Sequence, residues 1–192
     1  SVCVVVAYGK ILKQNILDIP EYGFLNVHPS LLPLHRGATP IQSSILAGDT
    51  ETGVTVMQLD EKMDHGPIIA QELLELSGVE LSPDLHQKLF EIGGRLLAET
   101  LPEWLAGNID SQDQDHKLAT YTEKMKKRHG ELLNSDTDEE KWRKYRAYFG
   151  WPGVFYFEDN KRVKVTRASF SNGKFKIEKI IPEGKKEQEL IN

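Results

Sequence analysis

Val2-Cys3-Val4-Val5-Val6-Ala7 and Gly23-Phe24-Leu25-Asn26-Val27-His28 are the stretches on which the fold class turns. The first is short, β-branched and continuously apolar, the pattern of a strand buried on both faces of a parallel sheet. Tyr8-Gly9 ends it, and residues 10–17 read as a short helix before the second strand at 23–28. In Pro29-Ser30-Leu31-Leu32-Pro33 two prolines exclude regular structure. Thr39 reads as the N-cap and Pro40 as the first-turn residue of a helix that runs to about Ala47 and stops at Gly48. Residues 53–59 read as a third strand, and 68–76 as a fourth that alternates enough for an edge or an antiparallel pair. The longest helix is expected over 82–105, with Ser82 as N-cap, Pro83 at its first position, and Leu85, Leu89, Ile92, Leu96, Leu97 and Leu101 at helical spacing. Strands alternating with helices make this an α/β sheet.

Further along, residues 108–120 are polar and rich in Asp and Gln, and read as a linker. A short basic, aromatic helix is expected over 141–149, followed by a turn at Trp151-Pro152-Gly153. Residues 154–157, 162–168 and 174–181 read as strands separated by Asp159-Asn160 and Asn172-Gly173, both hairpin signals. That end should form a small antiparallel sheet or barrel. Charge divides the chain in a similar place: residues 1–116 hold 6 Lys and Arg against 17 Asp and Glu, whereas residues 117–192 hold 18 against 12. A basic back half can meet a polyanion. One cysteine excludes a disulfide framework and points to a reducing, cytoplasmic compartment. No apolar run nears the ~20 residues of a membrane span.

Asn26 and His28, two apart on one strand, share a face at the strand's C-terminal end, where open α/β sheets hold ligands. A carboxamide can hydrogen-bond an oxygen that becomes negative, and an imidazole can take or give a proton near neutral pH. The pair alone also matches a satisfied, half-buried histidine beside a turn asparagine. After the third strand, Leu59-Asp60-Glu61-Lys62-Met63-Asp64-His65-Gly66 brings carboxylates to the same sheet edge. Either Asp60 or Asp64 could orient His28 and hold its charged form; an ordinary Asp-containing turn reads the same way. The six histidines fall at no HxxxH spacing and no Cys pair exists, so no metal site is expected. GxGxxG and P-loop patterns are missing too, which argues against dinucleotide or P-loop chemistry. Cys3 reads as a core residue.

Asn26-Val27-His28-Pro29-Ser30-Leu31-Leu32-Pro33, Arg36-Gly37-Ala38-Thr39-Pro40-Ile41-Gln42 and Gly48-Asp49-Thr50-Glu51-Thr52-Gly53-Val54-Thr55, followed by Met63-Asp64 and Gly66, resemble the signature of the folate-dependent formyltransferases. The resemblance implies a partial Rossmann-like formyltransferase domain over 1–108, a linker over 109–128, and a small β-barrel-like, tRNA-binding domain over 129–192. It implies Asn26, His28 and Asp64 as the catalytic trio, with Asp64 preferred to Asp60. It implies that Ser30, Leu31, Leu32 and Pro33 lie at the tetrahydrofolate site, and that Lys10, Leu12 and the loop with Asp60, Glu61 and Met63 line the pterin pocket. Within the family, Gln112-Asp113 with Leu118-Ala119-Thr120-Tyr121-Thr122-Glu123-Lys124, and Trp151-Pro152-Gly153 with Val163-Lys164-Val165, resemble the methionyl-tRNA branch.

The implied reaction moves the formyl group of 10-formyltetrahydrofolate, a co-substrate, to the α-amine of methionine on initiator tRNA. Asn26 and a protonated His28 would stabilise the tetrahedral oxyanion, and Asp64 would hold His28 and help carry the proton. A monomer without a metal is implied. Lys124, Lys126, Lys127, Arg128, Arg143, Lys144, Arg146, Lys161, Arg162, Lys164 and Arg167 would meet tRNA phosphates. Three departures stand out. The family's first strands are missing, so the chain reads as a fragment or a truncated product; His65 replaces a usual Thr; and the C-terminal domain is short. Rival readings are transfer to an amino-sugar nucleotide, a formylfolate hydrolase or the folate-binding module of a dehydrogenase, and a non-catalytic remnant that binds folate or tRNA.

Overall fold

The computed structural model describes residues 1–6 and 8–190. Strands β1 (Cys3–Val5), β2 (Phe24–His28), β4 (Glu51–Gln58) and β5 (Ile68–Glu75) form one sheet in the order β1-β2-β4-β5. Only β1 and β2 run parallel; β2–β4 and β4–β5 are antiparallel, which makes the sheet mixed. The register sets His28 opposite Thr55 and Asn26 opposite Met57. The first strand is expected to be buried on both faces; Val4 is 41% and Val6 47% exposed, and among the described residues β1 pairs on one side only, with β2. Ala7, the last residue of that expected strand, lies outside the described residues, as do 191 and 192 of the C-terminal module.

The expected helix over 10–17 shortens to α1 (Gln14–Leu17), whose one buried side chain is Leu17. Ile11, 66% exposed, finds no core to pack on, and a short helix in water is marginal without such packing. Helix α2 (Pro40–Ala47) begins after Thr39 and ends at Gly48, in the left-handed conformation at φ 75°. Helix α3 (Ser82–Leu105) spans the expected range, but its N-cap is Leu81, and Ser82 Oγ accepts from Gln42 Nε2 at 2.9 Å instead of capping. Leu85, Leu89 and Leu96 on its periodic face are buried against the sheet.

Helix α4 (Asp138–Ala147) carries a capping box, Thr137 with Glu140. It is followed by β7 (Val154–Glu158), β8 (Lys161–Ser171), β9 (Lys174–Pro182) and β10 (Gln188–Glu189), an antiparallel sheet in the order β10-β9-β8-β7. Asp159 and Asn160, and Asn172 and Gly173, all have positive φ, the requirement of the tight turn that matches strand twist. The core does not stop at the junction. Ile41, Ile45, Val54, Leu85 and Leu89 share one buried cluster with Leu132, Tyr145, Val154, Val163 and Ile180. Arg143 of α4 donates to the Ala47 carbonyl at the end of α2, 3.1 Å away, so a cation sits at that helix's negative pole.

Two short strands complete the frame. Strand β3 (Arg36–Gly37) pairs in parallel with β6 (Tyr121–Thr122), carrying the 112–123 segment back across the end of the first sheet. That polar segment also bridges to β5, Gln112 opposite Ile68.

Candidate active site

Strand β2 ends in His28, and alternation along it puts Asn26 on the same face. His28 is buried, 4% exposed. Its Nε2–H donates to the His35 carbonyl at 3.1 Å, since a carbonyl can only accept. In the neutral ring, Nδ1 therefore carries the lone pair. Nδ1 stands 3.8 Å from Asp64 Oδ1, an ion-pair separation rather than a hydrogen bond. Burial pushes the His28 pKa below its ordinary 6.5, against the pull of the Asp64 carboxylate and the His35 carbonyl; the charges of His35 and Arg36 push it the same way as burial. Burial thus favours the neutral imidazole in the free chain.

The two aspartates that spacing left equivalent are far from equivalent in space. Asp64 holds a left-handed backbone, φ 48°, and its Oδ2 accepts from Gly37 N at 2.7 Å. Asp60 spends its oxygens locally, on Lys62 N at 2.9 Å and on His65 Nδ1 at 2.6 Å. Gly37 has φ 114°, and a Cβ there would lie 2.6 Å from Thr122 Oγ1 and 3.0 Å from the Thr122 carbonyl. Only glycine brings its amide this close to both β6 and Asp64.

The loop from Ser30 to Pro33 is fastened to the sheet. Thr55 Oγ1 donates to the Ser30 carbonyl at 2.7 Å and accepts from Leu32 N at 3.1 Å, and Gln71 Nε2 donates to the Leu32 carbonyl at 2.9 Å. Ser30 Oγ donates to the Leu34 carbonyl at 2.6 Å, and the Ser30 and Leu32 side chains are buried. Leu31 and Pro33 are half-buried. Lys10 is exposed and Leu12 half-buried, on the irregular stretch before α1. Gln14 N donates to Glu61 Oε1 at 3.1 Å, so that stretch and the Asp60–Met63 loop are neighbours, with Met63 44% exposed. Clefts of about 520 and 460 Å³ lie elsewhere, along α4, and neither is lined by Asn26, His28 or Asp64.

Sequence reading missed Arg36 and Gln114. Arg36 is 1% and Gln114 5% exposed. Nε and Nη2 of Arg36 donate to Gln114 Oε1 at 3.1 and 2.6 Å, Nη1 to the Tyr121 hydroxyl at 3.2 Å, and Nη2 also to His116 Nδ1 at 2.9 Å. Composition marks an Arg as a surface residue, and a partner 78 positions away leaves no local pattern. The basic set also needs correction. Arg146 is buried, 5% exposed, because its position on α4 faces the core, and Lys144 is occupied by Asp136 at 2.6 Å. Lys124, Lys126, Lys127, Arg128, Lys161, Lys164 and Arg167 remain exposed.

Known proteins agree with this frame. A methionyl-tRNA formyltransferase of Chloroflexus aurantiacus is 44% identical over 172 residues, which cover 90% of this chain and 56% of that protein. The chain thus spans about half the length of the curated relatives it matches. Among solved structures, a methionyl-tRNA formyltransferase from Clostridium thermocellum superposes with TM-score 0.69 at 22% identity, covering 93% of this chain and 77% of that one. An N-formyltransferase from Helicobacter canadensis, in complex with folinic acid and dTDP-3-aminofucose, gives 0.70 at 20%, covering 85% and 60%. At those identities the structures speak for the fold. The model of the formyl transferase family matches residues 1–101, the whole of the first sheet with most of α3, and on that match the chain belongs to the formyl transferase family.

Proposed function

We propose that the chain carries the site that moves a formyl group from 10-formyltetrahydrofolate to the α-amine of methionine esterified to initiator tRNA. The observation that carries the reading is the 3.8 Å approach of Asp64 Oδ1 to His28 Nδ1 at the end of the strand that also bears Asn26. The acceptor follows from the 44% identity to a methionyl-tRNA formyltransferase and from the exposed basic residues of the back half. The donor would lie over Leu31 and Pro33, between Lys10, Leu12 and the loop with Asp60, Glu61 and Met63. Ser30 and Leu32, buried, would shape that floor rather than touch it. Exposed Met63, on the loop that Gln14 N reaches through Glu61, suits a flat heterocycle.

In this reading the amine attacks the formyl carbon, forming a C–N bond, and the carbonyl oxygen becomes an oxyanion held by the Asn26 carboxamide. Neutral His28 takes the amine proton, and the imidazolium then sits beside the Asp64 carboxylate, which favours the charged form. The C–N bond to the folate collapses, the proton passes to that nitrogen, and formyl-methionyl-tRNA and tetrahydrofolate leave. Formyl transfer from 10-formyltetrahydrofolate to methionyl-tRNA is the test, with Asp64→Asn as control. Transfer that the substitution abolishes supports the reading. A folded chain that transfers nothing, or formylates only an amino-sugar nucleotide, overturns it.

A further inference from the structure

The guanidinium of Arg36 is fully buried, yet its four hydrogen bonds go to neutral acceptors: Gln114 Oε1 twice, the Tyr121 hydroxyl and a lone pair on His116. A buried cation needs acceptors, and supplying four of its five N–H groups fixes those acceptors in turn. With its oxygen pinned by Arg36, the Gln114 carboxamide can point its nitrogen in one direction only. That nitrogen donates to the Asp64 carbonyl at 3.0 Å and to the Gly66 carbonyl at 2.7 Å. The residue after Arg36, Gly37, meanwhile donates its amide to the Asp64 carboxylate. Asp64 is therefore gripped at its backbone from the 112–123 segment and at its side chain from β3. Those two are joined by the β3–β6 pairing, and also by Arg36 N, which donates to the Thr120 carbonyl at 2.9 Å. A residue held in a left-handed backbone keeps that conformation only where its surroundings impose it, and here the surroundings are Gln114 and Gly37.

We infer that Gln114, clamped by Arg36, is a positioning residue for the reaction, setting the Asp64 carboxylate against His28 so that the 112–123 segment is part of the site. This rests on the function proposed above. Gln114 touches neither His28 nor any reacting atom; it acts through Asp64. His28 is faced by Asp64, His35 and Arg36; the Asp64 carboxylate and the His35 carbonyl favour its charged form, and the charges of His35 and Arg36 oppose it.

The test is a cycle of Gln114→Glu with Asp64→Asn, read on the His28 imidazole titration by NMR without substrate, and on kcat. Gln114→Glu keeps an acceptor for Arg36 but loses both donors to the Asp64 loop. Gln114→Met, near in volume, is the second variant. In the native background Asp64→Asn should lower the His28 pKa. In either Gln114 background the same substitution should move it little, because the carboxylate has already swung away. On kcat, Gln114→Glu should cost about tenfold or more with an unchanged KM for the formyl donor. A His28 titration that responds to Asp64→Asn equally in all backgrounds overturns the inference. So does an unchanged kcat in both Gln114→Glu and Gln114→Met. A native chain that binds but never transfers would sink the function proposed above instead, and the titration would still decide the role of Gln114.

Discussion

His28 Nδ1 and Asp64 Oδ1 stand 3.8 Å apart, too far for a hydrogen bond and close enough for each to feel the other's charge. The separation is kept because each is tied elsewhere, His28 to the His35 carbonyl and Asp64 to the Gly37 amide. An imidazole that becomes charged can close the gap, so the pair is arranged to receive the charged state that burial disfavours.

Acid should find this pair. The folded His28 pKa lies below its ordinary 6.5, so the unfolded chain takes up the proton first as pH falls. Nothing is lost above 6.5; stability declines as pH drops through 6.5 toward the folded value. Urea midpoints taken between about pH 7.5 and 5 should fall, and fall less steeply in His28→Gln. Equal slopes would place the acid sensitivity elsewhere.

Gly37→Ala should be disproportionately costly for the addition of one methyl group. A positive φ and the clash with Thr122 together are worth about 1–3 kcal/mol. Beyond that loss of thermal stability, the Asp64 anchor shifts, and turnover should fall about tenfold or more. An active, fully stable Gly37→Ala protein would show that the β3–β6 pairing has room to move.

Leu89, 1% exposed on α3, belongs to the cluster that also holds Val154 and Ile180 of the C-terminal sheet. Leu89→Ala should cost about 2–5 kcal/mol. Because the cluster is continuous, backbone circular dichroism and the fluorescence of Trp142 and Trp151 should report one coincident transition in both proteins. Separated transitions would mean that the two sheets melt independently.

For the nucleic-acid surface, Lys126→Ala and Lys127→Ala should each weaken tRNA binding and reduce the salt slope by about one unit. Buried Arg146 should leave that slope unchanged when replaced by Met. An identical slope in both lysine variants would move the phosphate contacts to β8.

Much of this was legible in advance because local signals carried it. The periodicity of α3, the Thr39–Pro40 helix start and the Asp159-Asn160 and Asn172-Gly173 turns are each decided within a few residues, and each element formed where expected, to within a residue or so. The Val2–Val6 run shows that burial is a property of neighbours: its sequence marks a strand, and what covers that strand is written elsewhere in the chain. His28 and Asp64 could be paired only through the family resemblance, since Asp60 has the same spacing logic. Arg36 with Gln114 lay beyond any local pattern, and the polarity that made 108–120 look like a tether is the polarity of groups satisfying a buried cation.

The Arg36–Gln114 contact closes a loop of 78 residues that holds Asp64, with His28 just ahead of it. Contacts that distant are made late, after the entropy of a long loop has been overcome by closer pairings. Gln114 and Gly37 hold Asp64 from both sides only when the chain as far as Thr122 has come home, so a half-folded chain, whatever secondary structure it already holds, lacks the contacts that set the carboxylate against the imidazole.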